Sequence, residues 1–360
     1  MLRDDTRRYL DRLEAAIDPK HLAATRKFQL DCMRYKPVPR LPVSVSFEAS
    51  DWPTFNHQET LVDREKMLLA ELRPVYHAAL LKDDTLPSIR ANYGTGILPS
   101  LFGCRIRSFE DQLPMALPFH STDKVRALVD AGVPDLRGGQ GGAVLDTVAF
   151  YKEALAPYPR LRDGIRIELA DTQGPFDAAE IVWGSEIFVE MYENPKLVHG
   201  VLGLIADTTI AFTRAHQKVD GEPFGADAGC SGWRGTGRVC VREDAAICMG
   251  KTQYEEFCMP YTQRVLDEFT GCIHWCGDAK AWWRSTLQLR NLKAVNPYQS
   301  EFYDAVEVHD TARARQVAIF QWTQPLSPEA RARIKTGFTL IAHAKDIDEA
   351  RRVFETYAIG

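Results

Sequence analysis

Gly271-Cys272-Ile273-His274-Trp275-Cys276-Gly277-Asp278 reads as a short buried strand ending in a polar tip. His274 and Cys276 stand two residues apart, so on a strand they project from the same face. An imidazole and a thiolate projecting together are two ligands that zinc accepts. Gly277 follows at once, where a chain leaving a strand has to turn sharply. Two ligands do not make a site. The same residues also suit a hydrogen-bonded histidine beside an inert core cysteine, so the meaning of the stretch rests on its surroundings.

Towards the C-terminus the pattern alternates. Helices are expected at about 279–290, 303–312, 327–335 and 347–357, and strands at 292–295, 316–320 and 337–342. Towards the N-terminus, strands are expected at 42–48, 88–93, 164–170 and 237–241. Helical spacing marks residues 1 to about 35, 60–82 with a kink at Pro74, 143–156, 178–183 capped by Asp177, and 253–270. Asn194-Pro195 suits the start of a long helix reaching about His216. Residues 103–140 read as a proline-rich loop or flap. Strands alternating with helices mean parallel β-α units. The expected fold is therefore a (β/α)8 TIM barrel over residues 41–360, with an N-terminal helical extension over 1–40 packed on its outside. An open doubly wound sheet would show an early glycine-rich phosphate turn, and Gly94-Thr95-Gly96 lacks the third glycine and the following helix.

The bulk properties agree. The chain has 360 residues, 26% of them charged, with a formal net charge of −5, which argues against nucleic acid as a partner. No apolar run approaches the roughly 20 residues that span a bilayer, and the charged N-terminus lacks the apolar core of a secretory signal. A cytoplasmic protein is expected, with its 8 cysteines reduced; six of them fall between 230 and 276.

In such barrels chemistry gathers at the C-terminal ends of the strands. The polar residues expected there are Glu48, Asn92, Tyr93, Asp171, Gln173, His274, Cys276, Asn296, Gln321 and His343. Glu48 and Asp171 are candidates for acid-base catalysis. Asn92, Tyr93, Gln173, Asn296 and Gln321 are candidates for substrate binding. His274, Cys276 and His343 supply the three protein ligands of a catalytic zinc with an open fourth position. His57, His120 and His309 are rival ligands, although His199 and His309 fall on helical patterns and read as outer-face residues. Trp52, Trp275 and Trp322 serve either as walls for a flat substrate or as core.

The chain resembles the uroporphyrinogen decarboxylase superfamily over roughly residues 40–358. The resemblance is carried by Asp171-Thr172-Gln173-Gly174-Pro175-Phe176-Asp177 with Gly184, by Tyr192-Glu193-Asn194-Pro195-Lys196-Leu197-Val198-His199, by Glu243-Asp244 followed by Tyr254 to Tyr261, and by His274-Trp275-Cys276-Gly277. It implies a (β/α)8 barrel. The arginine-rich stretch with which true uroporphyrinogen decarboxylases grip carboxylates is replaced here by Ser44-Val45-Ser46-Phe47-Glu48. The zinc methyltransferase branch is similar instead: it uses a His-x-Cys pair, matched by His274 and Cys276, and a distal cysteine. No cysteine follows 276, and His343 stands about where that ligand is expected.

The resemblance thus implies zinc-dependent methyl transfer between a small methylated substrate or thiol and a corrinoid. This chain has no Asp-x-His-x-x-Gly stretch, so the corrinoid belongs to a partner protein. A metal-independent decarboxylase using Glu48, Asp171 or Asp227 is the alternative, and a binding module that has lost catalysis is a third.

Overall fold

The computed structural model describes residues 2–49, 51–221 and 228–358. Eight parallel strands stand where the sequence pattern places them: β1 (Val43–Ser46), β2 (Ser88–Arg90), β3 (Arg166–Glu168), β4 (Val239–Arg242), β5 (Gly271–Trp275), β6 (Leu292–Pro297), β7 (Ala318–Trp322) and β8 (Phe338–His343). Six form one sheet in the order β1-β8-β7-β6-β5-β4, and β2 pairs with β3. The arrangement is a TIM-type barrel whose ring of backbone hydrogen bonds is interrupted twice.

At both interruptions side chains take over. The N–H groups of Val43 and Val45 donate to the carboxylates of Asp84 at 2.9 Å and Asp83 at 2.8 Å. Both aspartates follow the helix Arg64–Leu81. Beyond β3, the Glu168 carboxylate accepts from the N–H groups of Ser231 and Gly232 at 2.7 and 3.2 Å. These residues form the turn of a small hairpin, Gly229–Cys230 with Trp233–Arg234, which lies next to β4. Paired edge groups satisfy the backbone's obligatory donors without a continuous ladder.

Strand alternation sorts the side chains into two layers. Val43, Val45, Ile89, Ile167, Val239, Val241, Ile273, Val295 and Ile319 belong to the large core that joins the sheet to its helices. Cys272, Ala294, Ala318 and Phe320 form a smaller cluster inside the barrel, together with Met33, Cys230 and Trp233. Met33 ends the helix Pro19–Met33, and Gln29 of that helix bonds the carbonyls of Asp84 and Gly232. The N-terminal segment therefore does not merely pack on the outside: its second helix closes one end of the barrel. It also folds as two helices, Asp4–Ala16 and Pro19–Met33, because Asp18 caps the second and Pro19 takes its first position.

Other expectations change. Residues 279–290 hold only the short helix Trp283–Thr286, and 57–81 splits into His57–Val62 and Arg64–Leu81, the second containing Pro74. Residues 103–140 carry an antiparallel pair, Arg105–Arg107 with Met115–Leu117, and the helix Thr122–Ala131. Asp177 does not cap a helix starting after it, since that helix starts at Pro175. Asn194 precedes Pro195 as expected, but its amide bonds Glu190 rather than the helix N-terminus. The helix Pro195–Asp220 is long and apolar enough by composition to cross a membrane, against the sequence reading. It is mostly buried, packed against the helices Gly141–Leu155, Pro175–Trp183 and Met259–Phe269, as a core helix is.

Candidate metal centre

Strand β5 presents His274 at its end, and the chain turns at Gly277 with φ +96°, where an added Cβ would sit 2.8 Å from Ile247 Cδ1. The turn is held by the Tyr303 hydroxyl, which accepts from Trp275 Nε1 and Ala279 N and donates to the Gly277 carbonyl. Cys276 is thereby brought back beside His274, with Sγ 3.4 Å from Nε2. A third group completes the cluster. Asp244 Oδ1 lies 3.6 Å from His274 Nε2 and accepts from the Cys276 N–H at 2.6 Å. One ligand atom from each of Asp244, His274 and Cys276 lies within 4.8 Å of the others.

The tautomer follows from the neighbouring strand. Asn296, paired with His274 in the β5–β6 register, donates its amide nitrogen to the Phe320 carbonyl at 2.7 Å. Its oxygen therefore faces His274 Nδ1 at 2.6 Å, which fixes the proton on Nδ1 and leaves the Nε2 lone pair directed at the cluster. Asp244 is held as firmly. Its own N–H and that of Ala245 donate to the buried carboxylate of Asp177 at 2.7 and 3.1 Å. Burial, followed by the charge of Asp244, raises the Asp177 carboxyl well above the usual range. Burial and then the neighbouring Asp244 push the Cys276 thiol up to about 12. One imidazole nitrogen, one thiol and one carboxylate oxygen form a donor set that zinc takes, and the fixed lone pair of His274 shows that the site fits the ion.

The uroporphyrinogen decarboxylase (URO-D) family model matches residues 89–297, more than half of the chain. The chain belongs to the uroporphyrinogen decarboxylase family. It is 23% identical over 265 residues to the methylcobamide:CoM methyltransferase MtbA of Methanosarcina mazei, covering 68% of each chain. It is 30% identical over 158 residues to a uroporphyrinogen decarboxylase of Nocardia farcinica, covering 43% of this chain and 38% of that one. Its fold is that of a solved methyltransferase from Methanosarcina mazei, with a TM-score of 0.64, 13% identity, and coverage of 93% of this chain and 99% of the other.

Of the remaining predicted site residues, Asn296 and Gln321 adjoin the cluster and the others take partners elsewhere. His343 is not the third member of the cluster. It is exposed at the end of β8, and its Nδ1 lies 2.6 Å from Ser46 Oγ on β1, two strands removed from Asn296. Glu48 is exposed and paired with Arg73. Asp171 is buried between Arg242 at 3.0 Å and Arg90 at 3.4 Å, and accepts from Gln173 Nε2 at 2.7 Å, so Gln173 braces Asp171. Asn92 bonds Glu71, and Tyr93 is buried with its hydroxyl 3.0 Å from Thr147. Gln321 contributes its carbonyl, 3.4 Å from Asn296 Nδ2. Asn296 itself is a positioning residue for His274.

His120 pairs with Glu186, His57 receives a helix-start contact by donating its N–H to the Glu110 carbonyl, and His309 is buried against the Thr336 carbonyl, not on the outer face. Trp52, Trp275 and Trp322 are all core. Asp227 lies outside the described residues.

The sequence reading missed Asp244. The one signal for it was the Glu243-Asp244 stretch just after the strand Val239–Arg242, whose last residue pairs with His274 in the structure.

Proposed function

We propose that this chain is a cytoplasmic zinc-dependent methyltransferase, moving a methyl group between a corrinoid carried by a partner protein and a small methylated substrate or thiol. The observation that carries the reading is the convergence of Asp244, His274 and Cys276 at a strand tip with the His274 Nε2 lone pair freed by Asn296. The MtbA similarity supports methyl transfer as the chemistry.

Asp244, His274 and Cys276 would hold the ion. The chemistry supplied by zinc held there would be Lewis acidity that lowers the pKa of a substrate thiol. The rest falls to the protein. Asn296 keeps the imidazole from rotating. The Asp177 carboxylate keeps Asp244 at the rim. Exposed Ile247, Tyr298 and Phe302 lie on the loops around the triad, with the Tyr298 ring 5.8 Å from that of His274, and offer an apolar rim on which a partner protein can seat.

The second reading is a metal-independent decarboxylase. The similarity to the Nocardia farcinica enzyme and the placement of Asp171 between two guanidinium groups favour it. Metal content separates the two. Purified protein is expected to hold one zinc at this site and to demethylate methylcobalamin in the presence of a thiol, and His274→Ala is expected to lose that one equivalent of zinc together with the turnover. Zinc-free protein with undiminished turnover would end the methyltransferase reading.

A further inference from the structure

Below the triad, the barrel interior departs from the branched aliphatic filling usual for this architecture. Cys240 and Cys272 are paired on β4 and β5, one alternation beneath Arg242 and His274. The hairpin beside β4 inserts Cys230 between them. Its Sγ is 3.2 Å from that of Cys272, and its N–H donates to Thr236 Oγ1 at 2.9 Å, which fixes the residue. The three sulfurs lie within 4.8 Å of one another. Three ligands of a tetrahedral zinc thiolate set stand about 3.8 Å apart, from a Zn–S distance of ~2.3 Å. Displacements well under the size of an atom would therefore bring all three onto one ion.

The surroundings fit a charged thiolate cluster. Arg242, two residues along the same strand face from Cys240, offsets negative charge. A polar cavity of about 250 Å³ lined by Arg90, Glu168, Cys230, Cys240 and Arg242 reaches two of the three thiols and gives an ion a way in. Cys240 is half-buried, whereas Cys230 and Cys272 are buried.

We propose that Cys230, Cys240 and Cys272 form a second metal site, separate from the triad, that takes a soft d10 cation of the Cu⁺, Zn²⁺ or Cd²⁺ class. Thiolate ligands select such ions. The site stands on residues that the proposed methyl transfer does not use, so the two are tested apart.

The test uses full-length protein carrying His274→Ala and Cys276→Ala, which removes the triad, titrated with Cd²⁺ and followed by the thiolate-to-cadmium absorption in the near ultraviolet and by equilibrium dialysis. One equivalent bound with that absorption is expected. Adding Cys230→Ser, Cys240→Ser and Cys272→Ser together should abolish both signals. Cys240→Ser alone, at the half-buried position that tolerates the change best, should weaken Cd²⁺ binding at least tenfold with an unchanged circular dichroism spectrum. Absence of the absorption in the triad-less protein, or its survival in the Cys240→Ser variant at full affinity, would overturn the proposal.

Discussion

At the scale of single residues, the triad is governed by neighbours that never touch its open position. Asn296 is one. Its removal leaves the half-buried imidazole without the acceptor that fixes its tautomer, and losing a hydrogen bond that orients a metal ligand costs roughly 10–100-fold in metal affinity. Asn296→Ala should therefore lower zinc affinity by about that factor in a chelator competition, with the fold retained. The Asp244 and His343 pair gives a sharper contrast. Asp244→Ala should weaken zinc binding strongly, whereas His343→Ala should leave it unchanged, because that ring is engaged with Ser46. Equal losses in both variants would contradict the geometry. The pair His274 and Cys276 was legible from strand alternation alone. The third member of the cluster was missed, because the order of strands around a barrel decides which tips are neighbours. A residue on β4 is adjacent to β5, whereas one on β8 is three strands away.

At the scale of elements, β1 shows how side chains can stand in for a strand. Asp84 accepts from Val43 N and is gripped by Arg40 through both guanidinium nitrogens. Only 5% of the Asp84 side chain and 19% of that of Arg40 are exposed. Removing one partner of such a buried pair costs roughly 3–5 kcal/mol, so Asp84→Ala should fall by about that amount in chemical denaturation. Asp83 predicts a pH effect. Burial raises its carboxyl from 3.8 to about 6 in the folded protein. Between those values the folded state binds the proton that the unfolded state has released, so stability falls as pH rises from about 4 to 6 and is flat above. The shift corresponds to roughly 3 kcal/mol. The advantage of wild type over Asp83→Asn should shrink by up to that amount between pH 4 and 7. Sequence signals were weakest for such elements. Periodicity finds a strand and a helix, but it says nothing of an aspartate pair that completes a sheet edge, and it overextended the helix after β5, where only Trp283–Thr286 is helical and Trp282 and Trp283 are both buried.

At the scale of the whole molecule, the barrel was legible because each β-α unit has its own hydrophobic alternation, and all eight expected strands are present. The interior was not, since a run such as Val239-Cys240-Val241-Arg242 reveals which residues share a face but not that three thiols meet. The apolar rim belongs to this scale too. Phe302→Glu should slow methyl transfer with a corrinoid protein severalfold while leaving zinc content and turnover of free methylcobalamin unchanged. Loss of both activities together would place Phe302 in the substrate pocket instead. The two interrupted seams have a further consequence. Strands β2 and β3 form a separate pair, stitched to the six-stranded sheet by aspartate and glutamate side chains at either edge, so the barrel is built to breathe there. Amide hydrogens of β2 and β3 should exchange with solvent deuterium well before those of β5 and β6, and local opening would expose the polar interior without melting the sheet that carries the triad.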